Sequence, residues 1–240
     1  MKKLLFLLSL VVLSSCGDDK DTKPDRADIT LRFEHMVGSE ALNFTSQFST
    51  SAGQTFTVED FRYYISNLSF ENSATGTKYD IPNSYHLIRE NGTGVFELVL
   101  QNVPLDDYDK FNFSWGIDAE KNTSLDQTGD LDPANEMAWN WNTGYKFLLL
   151  EGRLTPSNQG LVYHIGSNHN YKNLNFAIPQ DTQIDSRTKS TMVFNVDILK
   201  AFEGNSIIDI AINNSVMGGE IADNIASNIG QGLFKLQEIK

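Results

Sequence analysis

Apolar and polar residues alternate with a period of two in several separate parts of this chain of 240 residues. In ITLRFEHMV, the residues that share one face are Ile29, Leu31, Phe33, His35 and Val37. In FNFSWGID, they are Phe111, Phe113, Trp115 and Ile117. Successive side chains of a β-strand point to opposite faces, so this pattern is typical of strands that cover a core on one side.

Other segments have the same character and are separated by turn residues. FTVEDFRYYISNLSF is strand-like and aromatic, and YHLIRE and VFELVL are split by Asn91-Gly92. EIADNIASNIG has apolar residues at helical spacing and ends at Gly230, which predicts an amphipathic helix. We therefore predict a mainly β fold, an antiparallel β-sandwich of the immunoglobulin-like or Greek-key type with short helices and a C-terminal amphipathic helix. One domain is expected over residues 28–240.

The N-terminus has the form of an export signal. Lys2 and Lys3 precede an apolar run that is too short to span a bilayer and suits a signal peptide. The run ends in LSSC, which resembles a bacterial lipobox and implies cleavage before Cys16 and acylation of that residue. We expect residues 1–15 to be a signal peptide and residues 16–27 to be an acidic flexible tether. The expected location is the bacterial outer membrane, with the domain facing the periplasm or the cell surface.

Cysteine content, charge and motifs narrow the functions further. Cys16 is the only cysteine, so the mature chain cannot form an internal disulfide. The formal net charge of −12 disfavours nucleic acid and anionic lipid as partners, so attachment to the membrane must come from the lipid anchor. No GxSxG, HExxH or Walker motif occurs. We predict that the protein is not an enzyme.

Histidines are the first candidates for chemistry. His35, His86 and His164 each fall in a strand-like segment, and His169 follows in a predicted turn. Neutral imidazoles on neighbouring strands can converge on copper, and the methionines of the chain are compatible with Cu(I). The alternative is that each histidine is a hydrogen-bonded core or surface residue. A shared site requires at least two of the three histidines to lie within about 5 Å of each other and near a tryptophan.

A polar and acidic loop runs from Ala119 to Glu136. Asp118, Asp130 and Asp132 could hold Ca²⁺ through their carboxylate oxygens. The spacing is not that of an EF-hand, so a solvated acidic loop is the alternative interpretation.

Two of the three tryptophans lie one residue apart in MAWNWNTGYKFLLLEG. Trp139 and Trp141 share the parity of the apolar residues that follow them, which are Tyr145, Phe147 and Leu149. This pattern favours packing against an opposite sheet. Exposed tryptophans at this spacing also stack well on sugar rings, so a glycan-binding platform is a second interpretation.

The order and spacing of these motifs resemble those of the MbnP family, the MopE- and CorA-like copper-binding exported proteins of bacteria. The resemblance runs from about Ile29 to Phe234, through FEHMVG, FTVEDFRYYISNLSF, SYHLI, NVPLDDYDKFNFSWGID, DLDPANEMAWNWNTGYKFLLLEG and YHIGS. It implies a β-rich fold and, for characterised members, a copper site of histidines with a tryptophan that a dihaem peroxidase-type partner oxidises to kynurenine. Trp139 or Trp141 is then the candidate for that modification. The family site includes a histidine close in sequence to the modified tryptophan, whereas here no histidine lies nearer than His164.

Two functions remain in view. The first is a surface or periplasm-facing lipoprotein that binds copper without catalysis, for capture, storage or handling. The second is a metal-free surface lipoprotein that recognises a glycan or protein partner. The second function predicts an exposed face at Trp139 and Trp141, and histidines that only satisfy hydrogen bonds.

Overall fold

The computed structural model describes residues 26–140, 142–179 and 190–240. Its strands are β1 (Arg26–Val37), β2 (Glu40–Ala41), β3 (Phe48–Ser49), β4 (Thr55–Asn72), β5 (Thr77–Asp80), β6 (Tyr85–Arg89), β7 (Val95–Pro104), β8 (Lys110–Trp115), β9 (Lys146–Thr155), β10 (Gly160–Gly166), β11 (Lys172–Ala177), β12 (Ser190–Asp197), β13 (Ser215–Val216) and β14 (Phe234–Ile239). The helices are α1 (Leu199–Phe202) and α2 (Gly219–Asn228), with 3₁₀ turns at Lys121–Thr123, Gly129–Leu131, Pro133–Asn135 and Asn168–Asn170, and a π-helical turn at Ile229–Leu233. The predicted signal peptide, Cys16 and Trp141 lie outside the described residues.

The strands form two sheets. The first has the order β14-β12-β1-β2, and β7 also pairs with β1. The second has the order β11-β8-β4-β9-β10-β13, and β3, β5 and β6 also pair with β4. Most pairs are antiparallel, but β1 runs parallel to β12 and β10 runs parallel to β13. The prediction of a mainly β, sandwich-like fold with short helices is confirmed, and the two parallel pairs are exceptions within a mostly antiparallel arrangement.

Aromatic residues fill the space between the sheets. Phe33 of β1 stacks on Phe194 of β12, with ring centroids 5.5 Å apart. The same ring meets Phe113 of β8 edge-on at 6.3 Å, across the sandwich. Phe33, Phe113 and Phe194 are all buried, and burial of each such side chain stabilises the fold by about 1.5–3 kcal/mol. The alternating face predicted for β1 is thus the core face.

β4 is the spine of the second sheet and gives it two covered faces. Phe61 and Tyr63 of β4 are buried against the first sheet. Tyr64 points to the other face, where its hydroxyl donates to the carbonyl of Asp130 at 2.7 Å and its ring meets Tyr145 at 5.9 Å. We refer to the side of the second sheet that faces away from the first sheet as the outer face. The loop between β8 and β9 therefore covers the outer face.

The ends of the domain differ slightly from the prediction. β1 begins at Arg26, two residues inside the segment expected to be the tether. α2 buries Ala222, Ile225 and Ala226, as its helical spacing predicts. The chain then continues through the π-helical turn, past Gly230, into β14, which pairs with β12. No helix within the described ranges is both long and apolar enough to cross a membrane.

Candidate metal centre

The structure separates the histidines that the sequence predicts to share a metal. Leu149 of β9 lies opposite both His164 of β10 and Arg62 of β4. Tyr63, the next residue of β4, points to the opposite face, and its hydroxyl reaches His35. His164 and His35 therefore lie on opposite faces of the second sheet.

His86 occupies a third place. It lies on β6 opposite Ile65 of β4. Arg62 has partners in both β6 and β9, so these two strands occupy different edges of β4. Within residues 26–140, 142–179 and 190–240, no group of three His, Cys, Asp or Glu side chains could hold a metal. The predicted site made of His35, His86 and His164 together is thus corrected, because strand facing and the position of β6 keep these residues apart.

His35 belongs to a buried hydrogen-bond network between the sheets. Its Nδ1–H donates to the carboxylate of Glu90, and its Nε2 accepts from the hydroxyl of Tyr63 at 3.0 Å. The other oxygen of Glu90 accepts the backbone N–H groups of Asn91 at 3.0 Å and Gly94 at 2.9 Å. Burial alone would raise the pKa of Glu90, but the bonds from His35 and Gly94 outweigh it and lower the pKa. Both ring nitrogens of His35 are engaged, so this histidine offers no lone pair to a metal.

His86 is neutral but poorly placed. Burial lowers the pKa of His86, and its Nε2 is buried without a hydrogen-bond partner among the described residues. Its strand lies across β4 from the tryptophan-bearing segment. His86 is therefore a half-buried histidine at the β6 edge of β4 and does not extend the site at Trp139.

Trp139 and His164 come together on the outer face. Their ring centroids are 6.4 Å apart. Trp139 is 9% exposed, and the side chain of His164 is 13% exposed. Nε2 of His164 lies 2.7 Å from Oε1 of Glu151, a residue of β9. An imidazole, an indole and a carboxylate thus form one largely buried cluster on the outer face, which we call the Trp139–His164 site.

The hydrogen bond to Glu151 determines which ring nitrogen of His164 carries the hydrogen and which carries the lone pair. A carboxylate only accepts hydrogen bonds, so Nε2 carries the hydrogen towards Glu151 and Nδ1 carries the lone pair. Nδ1 has no hydrogen-bond partner among the described residues. Burial lowers the pKa of His164, against the raising effect of Glu151, so the ring is neutral at pH 7. Metal-binding histidines commonly donate their second N–H to a carboxylate in this way.

Backbone contacts hold Trp139 in place. Its N–H donates to the carbonyl of Gly144 at 3.0 Å, and the neighbouring Ala138 forms a β-bridge with Tyr145. Gly166, at the end of β10, lets the indole approach closely, because an added Cβ there would lie 3.0 Å from the indole nitrogen. The tryptophan-bearing turn is thus packed directly onto the strand that carries His164.

Asn122 links this turn to the segment after β10. Its side-chain oxygen accepts the N–H of Tyr145 at 2.8 Å, and its amide donates to the side chain of Asn168 at 2.7 Å. Asn122 is buried. It therefore fixes the acidic loop, the turn of Trp139 and the end of β10 relative to one another.

The predicted calcium loop does not converge on one point. Asp118 accepts from the hydroxyl of Tyr85 at 2.5 Å and from the amide of Asn67 at 3.0 Å. Asp130 accepts the N–H of Leu87 at 2.9 Å, and Asp132 caps its own turn at Ala134 at 2.8 Å. No metal-binding group of three such side chains occurs in the described part of the chain. The calcium prediction for Asp118, Asp130 and Asp132 is corrected, because these carboxylates pin the loop to the sheet.

Sequence reasoning missed Glu151, Asn122 and Gly166 as parts of the site. Glu151 has the parity of Leu149 and Trp139, so the alternation of β9 placed it on the same face. Its partnership with His164 required the pairing of β9 with β10, which brings Glu151 opposite Val162, two residues before His164.

Comparisons with known proteins agree with this architecture. A family model described as MbnP matches residues 26–218. Among solved structures, the chain is similar to MbnP from Methylosinus trichosporium, with 16% sequence identity and a TM-score of 0.54. That match covers 80% of this chain and 83% of the other. At this identity, the likeness to the solved structure concerns the fold. No curated protein matches the chain.

Proposed function

The chain belongs to the MbnP family, and from that premise we propose that it is an exported bacterial lipoprotein that binds copper without catalysing a reaction. The three strand histidines are dispersed, so the shared histidine site expected from the sequence is not the basis of the proposal. Its basis is the contact between Trp139 and His164, with ring centroids 6.4 Å apart on the outer face. Copper bound there would be captured, stored or handed on. Residue 139 or 141 remains the candidate for oxidation to kynurenine by a dihaem peroxidase-type partner.

The chemistry of His164 fits a copper ligand. Its neutral imidazole presents Nδ1, and Glu151 fixes the ring through Nε2 at 2.7 Å. Imidazole nitrogen is a ligand that copper accepts in either oxidation state. Glu151 acts as a positioning residue, because its bond to the ring selects the tautomer and raises the basicity of the ligand nitrogen. The described residues supply this one imidazole beside Trp139, so further ligands must come from other side-chain types.

The number of residues between the proposed lipidated Cys16 and the first strand limits how far the domain can lie from the membrane. Cys16 precedes the first residue of β1, Arg26, by ten positions. An extended segment of that length spans up to about 33–36 Å. The domain is then tethered close to the outer membrane, either in the periplasm or at the surface, and binds metal from the surrounding fluid.

Copper titration of the mature protein, purified from its native host, tests the proposal. We expect one copper per chain, and we expect His164→Gln to lose it, because the variant removes the open imidazole nitrogen. His169→Gln is the matched control, since His169 is 65% exposed and bonds Asp223 instead. Intact mass adds a second readout, because oxidation of one tryptophan to kynurenine raises the mass by about 4 Da.

The alternative function is a metal-free scaffold that recognises a glycan or protein partner. Dispersal of the three strand histidines favours it, since both ring nitrogens of His35 are hydrogen-bonded in the core and His86 lies on another edge of β4. Burial of Trp139 disfavours a sugar-stacking platform built on that residue, because only 9% of it is exposed. Absence of bound copper in the wild-type protein, with an unmodified tryptophan peptide, would support the scaffold and overturn the copper proposal.

A further inference from the structure

The hydroxyl group of Tyr63 begins a buried hydrogen-bond relay on the core face of the second sheet. It donates to Nε2 of His35 at 3.0 Å, and Nδ1–H of His35 donates to the carboxylate of Glu90. All three side chains are 0% exposed, so water does not serve as a proton acceptor there. Burial raises the pKa of Tyr63 well above its ordinary value, and the charge of Glu90 adds to this effect, so the phenol keeps its proton at pH 7. The imidazole of His35 is therefore the base that can take up the proton of this phenol.

Three other buried tyrosines donate to groups that do not take up a proton. The hydroxyl of Tyr64 donates to the backbone carbonyl of Asp130 at 2.7 Å, and that of Tyr145 donates to the carbonyl of Leu131 at 2.6 Å. The hydroxyl of Tyr163 also donates to a backbone carbonyl. A peptide carbonyl is a far weaker base than an imidazole, so these three phenols have no partner that could accept the proton released on oxidation.

Tyr85 is bonded to a carboxylate, which is also a weaker base than an imidazole. Its hydroxyl donates to Asp118 at 2.5 Å. Burial alone would raise the pKa of Asp118, but the hydrogen bonds from Tyr85 and Asn67 outweigh it and lower the pKa. Tyr85 is half-buried, whereas Tyr63 is fully buried. Tyr85 is thus a matched tyrosine with a poorer proton acceptor.

Rings that can lose an electron connect the Trp139–His164 site to Tyr63. The indole nitrogen of Trp139 and the carbonyl oxygen of Tyr145 both lie against Gly166, 3.0 and 2.5 Å from a Cβ built there. The ring centroids of Tyr145 and Tyr64 are 5.9 Å apart. Tyr64 and Tyr63 are consecutive residues of β4, and their side chains point to opposite faces of the sheet. Electrons can therefore pass between neighbouring rings from the core to the outer face.

We infer that Tyr63 is an electron donor whose proton moves to His35 when a one-electron oxidant acts at the outer face. The oxidant, which is a high-potential metal complex or the radical cation of Trp139, gains one electron, and the O–H bond of Tyr63 breaks. The proton binds Nε2 of His35 and gives an imidazolium, while Tyr63 becomes a neutral phenoxyl radical. Glu90 stabilises the imidazolium, because its carboxylate already accepts Nδ1–H. This step requires no metal bound to the domain.

The packing around Tyr63 suits a radical that must persist. Its ring contacts those of Phe61, Phe234 and Phe33, with centroids 5.3, 5.4 and 6.3 Å away. These side chains exclude water, and a water-free site protects a reactive intermediate from side reactions. Burying polar groups costs free energy, so an apolar side chain would fill this space at lower cost than a phenol with its two polar partners. The relay therefore fits a site that takes an oxidising equivalent from the outer face and holds it in the core.

Flash oxidation of the wild-type protein and four variants tests the inference. The variants are Tyr63→Phe, Tyr64→Phe, Tyr85→Phe and Glu90→Gln. Photogenerated tris(bipyridine)ruthenium(III) is the oxidant, and a pentaamminechlorocobalt(III) complex accepts the electron from the excited ruthenium complex. Electron paramagnetic resonance detects tyrosyl radicals, and transient absorption gives the rate at which they form. Circular dichroism verifies that each variant is folded.

We expect a long-lived neutral tyrosyl radical in the wild type and its loss in Tyr63→Phe. Tyr85→Phe, which removes one phenol hydroxyl elsewhere, should keep the radical. Tyr64→Phe should slow its formation without removing it, because the path from the outer face loses one oxidisable ring. Glu90→Gln retains both Tyr63 and His35 but should also lose the radical. An amide that donates to Nδ1 moves the hydrogen of the ring to Nε2, which then no longer accepts from the phenol.

Three outcomes would overturn the inference. The first is a wild-type protein that forms no long-lived tyrosyl radical. The second is a radical of unchanged yield and lifetime in Tyr63→Phe, which would place the oxidised residue elsewhere. The third is a radical that disappears in Tyr63→Phe but is unchanged in Glu90→Gln, which would show that His35 does not receive the proton.

Discussion

Removing the carboxylate of Glu90 should destabilise the domain severely. The side chains of Glu90 and His35 are both 0% exposed, so water does not reach their bond in the folded state. Glu90→Ala leaves three donors without their acceptor: the ring N–H of His35 and the backbone N–H of Gly94, which are buried, and the backbone N–H of Asn91, which is part-buried. Each orphaned donor costs about 1–3 kcal/mol, and breaking a buried hydrogen-bonded ion costs about 3–5 kcal/mol. We expect a loss of about 3–5 kcal/mol in the free energy of unfolding.

Glu90→Gln should cost much less than Glu90→Ala. The amide oxygen still accepts the two backbone N–H groups of the turn. The amide N–H group can donate to Nδ1 of His35, whose ring then shifts its hydrogen to Nε2 and donates to the hydroxyl of Tyr63. What is lost is the difference between a charge-assisted and a neutral hydrogen bond, about 1–2 kcal/mol.

Guanidinium unfolding at pH 7 measures both variants, with Glu97→Ala as the control. Glu97 pairs with Arg32 at 2.7 Å, but its side chain is 51% exposed, so its removal should cost less than about 1 kcal/mol. For a domain of this size, 1 kcal/mol corresponds to about 2–4 °C in Tm, so Glu90→Ala should melt about 6–20 °C lower. A loss for Glu90→Ala no larger than that for Glu97→Ala would refute the assignment of a buried network at His35.

Three further predictions concern the outer face and pH. Gly166→Ala should weaken copper binding and lower the free energy of unfolding by about 1–3 kcal/mol, because the new Cβ would lie 2.5 Å from the carbonyl oxygen of Tyr145. Gly160→Ala, on the same strand, is the control. Its new Cβ would have its nearest contact at 3.8 Å, so this variant should be tolerated. Asn122→Ala should speed hydrogen exchange at the amide of Tyr145, read by mass spectrometry, because that N–H loses its acceptor; unchanged protection would contradict the role of Asn122. Stability measured by urea unfolding should fall as pH drops below about 6.5, since the folded state lowers the pKa values of His86 and His164 and holds both rings neutral while the unfolded chain takes up the protons. The contribution of Glu90, whose pKa is lowered from 4.5, should persist to more acidic pH and disappear only below its folded pKa; a profile flat from pH 7 to pH 3 would exclude both effects.

The residue pattern within a single segment was sufficient to predict individual strands and helices and the faces that they bury. The alternation in ITLRFEHMV identifies β1 and its buried face, and helical spacing identifies α2. Pairing between distant segments was not accessible in this way. β1 lies parallel to β12, which is more than 150 residues away, and no repeating pattern in either strand encodes that partner. FKLQEI, at the very end of the chain, becomes a strand because β12 offers it a free edge.

Similar limits apply to the site. Trp139 and His164 were both named from the sequence, and they are in contact. Their association depends on Gly166, which lets the indole approach β10, and on the bridge between Ala138 and Tyr145. The grouping of His164 with His35 failed because period-two patterning assigns a face within one sheet and says nothing about which sheet lies beyond it.

His35 and His164 differ in how many of their ring nitrogens are hydrogen-bonded, and this difference determines which of them can bind a metal. Each ring bonds a glutamate, but His35 also accepts from Tyr63, so both of its nitrogens are used. Glu151 uses only one nitrogen of His164. A buried polar atom without a partner costs free energy, so both ring nitrogens of His35 are satisfied in the core, whereas on the outer face the 13% exposed side chain of His164 leaves Nδ1 available to a metal. Metal binding in this domain should therefore occur on the outer face, where one ring nitrogen of a histidine can remain without a hydrogen bond. A histidine on the core face would need hydrogen-bond partners for both ring nitrogens and would have none left for a metal.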